Sequence, residues 1–251
     1  EIFHETKVVI SCGPTSATIE SLAYGLRLII PILDIKNSIQ GKINFITADT
    51  FNFDNFTDMA NNILNEVEGD IIPVGLSMGG YCALELLRLS PERIKGIVLL
   101  NTGAKPPTQE QKIQRQKIIS ASKVGKFIGV SNLIINRVLG KKALENKNIH
   151  KLLRKMADSC GRDVFIRQQQ CIIDRIDPRQ AIKETDIPIL CIAGQYDQIT
   201  PSTLLQEVNE IGNNTTYFEI ADCGHMSILE YPQETLKMFE DWIKINFYID
   251  L

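Results

Sequence analysis

Ile71-Ile72-Pro73-Val74-Gly75-Leu76-Ser77-Met78-Gly79-Gly80 leads from an apolar run through a Gly-x-Ser-x-Gly into a segment of helical spacing. The apolar half spells a short buried strand, and Met78 to Leu89 carries the pattern of a helix. A serine at such a strand-to-helix junction occupies a strained turn that lifts its Oγ above the sheet, so its flanking positions must be small. Gly75 and Gly79 supply that space. The helix starting at Met78 also brings unpaired backbone N–H groups and the positive end of its dipole beside any oxyanion that develops there, with Met78 N–H as the expected donor. Pro73 fits this scheme poorly. It removes a ladder hydrogen bond from what should be a central strand, so a bulge or local distortion is expected.

On either side of this segment, short apolar runs alternate with helical patterns. Strands are expected at Lys7 to Ser11, Ile43 to Ala48, Ile71 to Leu76, Ile94 to Leu100, Pro188 to Ala193 and Thr216 to Ile220. Helices are expected near Ile19 to Leu33, Asn55 to Val67, Met78 to Leu89, Ser202 to Ile211 and Gln233 to Ile245. This rhythm implies an α/β fold, a mostly parallel central sheet flanked by helices. It breaks only between Gly103 and Glu184, where Lys and Arg abound and strand-like runs are absent. Residues 104–184 therefore read as a helical cap inserted into a core made of residues 1–103 and 185–251.

A serine hydroxyl is a weak nucleophile until a base takes its proton and a third group fixes that base. Of the three histidines, His4 lies near the start of the chain and His150 in the basic insertion. His225 follows the last expected strand in Ala221-Asp222-Cys223-Gly224-His225. The acid is sought between serine and histidine in chain order. Asp197, in Gly194-Gln195-Tyr196-Asp197, follows the preceding strand by one short loop, on the sheet edge where such sites assemble. Asp222 and Glu219 are rivals, but both share a strand and turn with His225, from which its far ring nitrogen is harder to reach.

The bulk properties agree with one sizeable core: 251 residues, 44% hydrophobic and 23% charged. The longest apolar stretches, such as Leu26 to Ile35, are interrupted well before the ~20 residues a bilayer crossing requires. With no basic and apolar leader visible, a cytoplasmic protein with no membrane partner is expected. The six cysteines, Cys12, Cys82, Cys160, Cys171, Cys191 and Cys223, show no C-x-x-C pairing, no zinc-like spacing and no nucleophile motif. They read as small, reduced, buried residues, although Cys12 and Cys223 flank the proposed site.

Gly-Leu-Ser-Met-Gly-Gly at 75–80, Gly-Gln-Tyr-Asp at 194–197 and Cys-Gly-His-Met at 223–226 resemble the corresponding motifs of the α/β-hydrolase superfamily. The run from Tyr81 to Asn101 is similar to the helix and strand that follow the serine in its capped, enol-lactonase-like and carboxylesterase-like branch. The resemblance implies hydrolysis of an ester, thioester or lactone without cofactor or metal. It also implies about eight strands in the full fold, against the six legible here, so the usual N-terminal hairpin looks absent or truncated. Enzymes of this type have His-Gly after the first core strand, and the next residue gives a second N–H to the oxyanion. Here the stretch is Ser11-Cys12-Gly13-Pro14-Thr15. Pro14 has no N–H. Gly13 and Thr15 are the remaining candidates, Thr15 through its N–H or hydroxyl; otherwise the hole has one donor fewer. That departure keeps a second reading open, a binding or receptor-like member with weak catalysis. Carbon–carbon bond hydrolysis and perhydrolysis, which use similar triads, also stay open. Epoxide hydrolases and dehalogenases are disfavoured because they carry Asp where Ser77 stands.

A formal charge of −3 conceals an asymmetry: Lys105 to Lys183 holds 18 basic and 6 acidic residues, a net of +12, and the remainder carries −15. Much of this is solvated helix surface and attraction between insert and body. Its functional reading is guidance of an anionic or carrier-bound substrate, for example a carboxylate or an acyl group on a phosphopantetheine carrier. No recognised nucleic-acid module accompanies the charge, so nucleic acid is not an expected partner. Apolar residues of the insert, including Phe127, Ile128, Leu133, Ile134, Ile135, Val138 and Leu139, suit an acyl pocket but more commonly pack a helix onto a core.

Overall fold

A computed structural model describes residues 7–12, 44–124, 127 and 129–247. The expected helix at Ile19 to Leu33, together with His4, Gly13, Pro14, Thr15 and Ile128, lies outside these residues. Among these residues six strands form one sheet: β1 (Lys7–Cys12), β2 (Asn44–Thr47), β3 (Ile71–Leu76), β4 (Ile97–Leu100), β5 (Ile189–Gly194) and β6 (Thr215–Ile220). Their order is β2-β1-β3-β4-β5-β6, and every neighbouring pair is parallel. The chain builds outward from β1 in one direction to β2 and in the other from β3 onward, so the order reverses between β1 and β3. Crevices at the carboxyl ends of strands beside such a reversal are where open α/β sheets bind ligands. Ser77 stands at that end of β3.

The central strands β3, β4 and β5 are buried on both faces, as a sheet sandwiched between helices requires. Ile72, Leu76, Val98, Leu100, Leu190 and Ile192 enter one core, and Ile71, Ile97, Leu99, Ile189, Cys191 and Ala193 the other. This alternation is the two-residue period of the pleat. The second core is closed by α1 (Phe56–Glu66), α2 (Met78–Leu89) and α7 (Thr203–Ile211), through residues such as Met59, Ile63, Leu84 and Leu205. The first is closed by α9 (Pro232–Phe247) through Phe239, Trp242 and Ile243. Asn55 caps α1 by accepting from Asp58 N. In the last turn of α2, Arg88 pairs with the buried Glu85, which also accepts from Thr57 Oγ1.

Pro73 is accommodated by a slip in register. Ile71 O accepts from Lys95 N and Ser77 N donates to Leu100 O, so the odd residues of β3 face β4 and the missing N–H of Pro73 falls on that side. There the ladder is broken: Ile71 pairs with Ile94, but Val74 pairs with Val98, one residue out of step. The β1 side stays regular from Lys7–Ile71 to Cys12–Leu76. The expected distortion is thus on the partner strand, and it delays β4 from Ile94 to Ile97.

Among the described residues between β4 and β5 run four α-helices: α3 (Gln109–Ser122), α4 (Asn132–Val138), α5 (Lys147–Asp174) and α6 (Arg179–Glu184). Thr108 and Gln111 form a reciprocal capping box at the start of α3. α5 is broken at Gly161, whose φ of 70° suits glycine and whose missing side chain would meet no atom. Ile135, Leu152 and Met156 join the core beneath, so this insert packs onto the sheet's carboxyl end. Among the described residues no helix is long and apolar enough to cross a membrane.

Candidate active site

Ser77 ends β3 and caps α2 with φ 53° and ψ −114°, a strained backbone that only close packing can impose. The packing is supplied by glycine. A Cβ on Gly75 would lie 2.3 Å from Gly79 C and O, and one on Gly80 would lie 2.4 Å from Thr102 Cγ2. Thr102 Oγ1 donates to Ser77 O at 2.7 Å, tying the turn to the end of β4. The structure thus explains the first glycine of the motif and adds a second constraint, at Gly80.

His225 and Asp197 reach Ser77 from the loops after β6 and β5. Ser77 Oγ lies 2.8 Å from His225 Nε2, and His225 Nδ1 lies 2.8 Å from Asp197 Oδ2. A carboxylate only accepts, so Nδ1 carries the proton and Nε2 is left to accept from the serine. Asp197 is buried and heavily bonded. Ile199 N and Thr200 N donate to Oδ1, and Thr200 Oγ1 and Asn101 Nδ2 approach Oδ2 at 2.9 and 3.2 Å. Burial works to raise its carboxyl, but the bonds from His225, Thr200 and Ile199 outweigh it and hold Asp197 below the usual carboxylate range. The rivals Asp222 and Glu219 are exposed, and His150 sits on α5.

Three residues that the sequence did not single out complete the arrangement. Asn101, wholly buried with φ 46°, donates to both Asp197 Oδ2 and Gly224 O and accepts from Ser227 N, so one amide joins the acid loop to the histidine loop. Thr200 Oγ1 sits 2.8 Å from Asn101 O and 3.2 Å from His225 Nδ1. Glu230, ending α8 (Ser227–Glu230), accepts from Gly224 N, Met226 N and Gly140 N, while His225 N donates to Val138 O at 2.6 Å. The insert and the histidine turn are therefore stitched together at Val138–Gly140. The close approach requires glycine: a Cβ on Gly140 would lie 2.0 Å from Asp222 O, and one on Gly224 would lie 2.4 Å from Val138 O. An Asn after a strand and a Gly before a short helix were visible in the sequence, but nothing local announced their partners.

Met78 stands at the first position of α2, fully buried, where a helix N–H has no intrahelical acceptor. Cys223 flanks the histidine but is buried, and burial pushes its thiol well above the usual range. Cys82, Cys171 and Cys191 are likewise buried, and Cys160 is half-buried. Beside Ser77 opens a cavity of about 280 Å³, close to the lower bound of ordinary small-molecule sites. Its walls are mostly apolar, with Leu76, Val130, Val138, Leu153, Met156 and Phe165 among them, and the insert contributes most of them. Of the apolar insert residues, Phe127, Ile134 and Val138 line the cavity, Ile135 and Leu139 enter the core, and Leu133 is exposed. Among the described residues no group of His, Cys, Asp and Glu is arranged to hold a metal ion.

Among curated proteins, the chain is similar to 3-oxoadipate enol-lactonase 1 of Acinetobacter baylyi, 23% identical over 225 residues that cover 82% of this chain and 81% of that protein. It is also similar to the pimeloyl-(acyl-carrier protein) methyl ester esterase of Neisseria meningitidis, 20% identical over 194 residues, 74% of this chain and 73% of that one. Among solved structures, the thermophilic esterase from Thermogutta terrifontis superposes with a TM-score of 0.79 at 20% identity, over 96% of this chain and 90% of the other, which shows a shared fold. A family model described as the Ndr family matches residues 41–246. With six parallel strands in this order and a match over most of its length, the chain belongs to the Ndr family of the α/β-hydrolase superfamily.

Proposed function

We propose that the protein is a serine hydrolase that cleaves a carboxylic ester, thioester or lactone, with Ser77 as nucleophile, His225 as general base and Asp197 as the acid that orients it. The observation that carries this reading is the unbroken chain of contacts from Ser77 Oγ through the imidazole to the buried Asp197 carboxylate, each link 2.8 Å long. In the first step Oγ bonds to the substrate's carbonyl carbon while His225 Nε2 takes the hydroxyl proton. The resulting oxyanion is stabilised by Met78 N–H and the start of α2, with Gly13 or Thr15 as the second contributor. His225 then passes its proton to the leaving oxygen or sulfur, and the acyl–leaving-group bond breaks. A water molecule, deprotonated by the same nitrogen, attacks the acyl-enzyme and frees the acid and Ser77. No step calls on a cofactor.

Residues 104–184 act as the cap over the site in this account, since they supply most of the apolar cavity wall. The names of the two curated relatives, a lactonase and an ester esterase, agree with ester-type substrates. The second relative's carrier-linked ester and the +12 insert favour an anionic or carrier-bound substrate. A panel of p-nitrophenyl esters of increasing chain length, assayed with the wild type and Ser77→Ala, tests the reading. Turnover that is lost in the variant while its thermal transition is kept supports it. Undiminished turnover in the variant overturns it, and absence of turnover from both across the panel favours the binding or receptor-like alternative.

A further inference from the structure

The cavity beside Ser77 is apolar except at two places. One is the Ser77–His225 pair, and the other is a polar patch of Arg115, Gln168 and Gln169. Arg115 lies one turn before Ile119, the buried residue of α3, and so shares its inward face, whereas Lys117 on the same helix is exposed. The guanidinium has five N–H donors, and its hydrogen bond goes from Nη1 to Gln169 Oε1 at 2.6 Å. No described carboxylate forms an ion pair with it.

Its neighbourhood adds positive charge. Arg175, which gives its own donors to Lys105 O and Ile172 O and lies over the Tyr81 ring at 4.5 Å, also forms no ion pair with a described carboxylate. Burial lowers the Arg115 guanidinium from its usual value, with Tyr81 opposing and Arg175 adding to the effect. An arginine remains protonated under any such shift. The patch thus holds a partly desolvated positive charge with no counter-ion among the described residues, and an arrangement of that kind is costly unless an anion completes it. Beside it Gln168, 2% exposed, leaves Oε1 without a hydrogen-bond partner while its Nε2 approaches Thr50 O.

We infer that Arg115 is the specificity-determining residue of this cavity and binds a carboxylate at the far end of the substrate's acyl arm, with the apolar walls holding the chain between that carboxylate and the carbonyl attacked by Ser77. This rests on the serine hydrolase reading and names its substrate class: half-esters or thioesters of dicarboxylic acids. The acyl arm is assigned because it stays on Ser77 after the first step and must be held in the cavity, whereas the leaving group departs before water enters. A planar guanidinium matches a carboxylate through two parallel bonds, and Gln168 Oε1 offers an acceptor to a hydroxyl or amide hydrogen carried by the same arm.

The test compares mono-p-nitrophenyl octanedioate with p-nitrophenyl octanoate in the wild type, Arg115→Met and Arg115→Lys. A parallel thermal-shift titration with octanoate and octanamide requires no turnover. In the wild type the carboxylate-bearing ester is favoured in kcat/KM, and octanoate binds more tightly than octanamide. Arg115→Met is expected to lower kcat/KM for the octanedioate ester about 10- to 100-fold, with little change for the neutral ester, and to abolish the octanoate preference. Arg115→Lys, which keeps the charge and loses the fork, recovers part of it. Equal losses on both esters mean that Arg115 only supports the fold, and no octanoate preference in the wild type means that the cavity takes no carboxylate; either overturns the inference. Octanoate preference that depends on Arg115, in a protein that hydrolyses neither ester, would keep the carboxylate site and reject the hydrolase reading.

Discussion

Replacing Glu230 by Gln removes a negative charge from the point where the histidine turn and the inserted helices meet. Glu230 Oε1 accepts from Gly224 N at 3.1 Å and Met226 N at 3.0 Å, and Oε2 accepts from Gly140 N at 2.7 Å and Gly224 N at 3.0 Å. A glutamine amide keeps one acceptor oxygen and turns a donor toward backbone N–H groups that already donate. Hydrogen bonds to a charged group contribute roughly 1.5–3 kcal/mol each, and at least one is lost and another weakened. Because Glu230 is half-buried, a loss of about 3 kcal/mol is the appropriate scale. For a chain of this size that lowers Tm by about 6–12 °C. The bond from His225 N to Val138 O is untouched, so the turn stays attached but loses its second anchor. A displacement of ~1 Å at the imidazole lowers kcat/KM on the order of 100-fold. Circular dichroism melts and p-nitrophenyl ester kinetics read both effects, and Glu234→Gln, an exposed carboxylate on the next helix, serves as control. A Tm within about 2 °C of wild type together with unchanged kcat/KM would refute the idea that Glu230 holds the histidine turn.

Asp197 is held below the usual carboxylate range, so the stability it contributes is fully present above its unfolded value of about 3.9 and is lost as pH falls through the lower folded value. The Tm advantage of the wild type over Asp197→Asn should therefore be constant near neutrality and shrink below about pH 4; a gap that widens with acid contradicts the assignment. Gly75→Ala puts a methyl 2.3 Å from the Gly79 backbone, where no flexible side chain can yield, and should abolish soluble folded protein or turnover; an active variant of normal Tm contradicts the tight turn. If the +12 insert steers anions, kcat/KM for a carboxylate-bearing ester should fall more steeply with salt than for a neutral one as the Debye length shortens from ~10 Å at 0.1 M to ~3 Å at 1 M. Equal salt slopes, unchanged by reversing the charges of Lys141 and Lys142, leave the insert's charge with a solvating role.

What the sequence carried plainly is what depends on residues close together in the chain. Strand runs and turn glycines made β1 to β6 legible to within a few residues, and Gly-Leu-Ser-Met-Gly placed the serine turn because its sterics are set within five positions. Asp197 and His225 were legible as loop residues after successive parallel strands, which topology brings to one edge. Asn101, Thr200 and Glu230 were not, since their partners lie elsewhere in space: Asn101 bonds a carboxylate 96 positions away and Glu230 an N–H 90 positions away. The inserted helices gave little sign of their packing faces; α3 buries only Ile119, so its apolar pattern has almost no period to read. Arg115 looked like one more basic residue in a charged segment, and only its direction into the cavity distinguishes it.

In the proposed reaction His225 and Asp197 make Ser77 the nucleophile. Its most direct test is to treat the folded protein with a fluorophosphonate, digest it and locate the added mass. Stoichiometric phosphonylation of Ser77 is expected, lost in Ser77→Ala and strongly slowed in His225→Ala, because the attacking hydroxyl needs the imidazole to take its proton. Ester hydrolysis by a protein whose Ser77 stays unmodified, or an adduct on another residue that persists in Ser77→Ala, would contradict it.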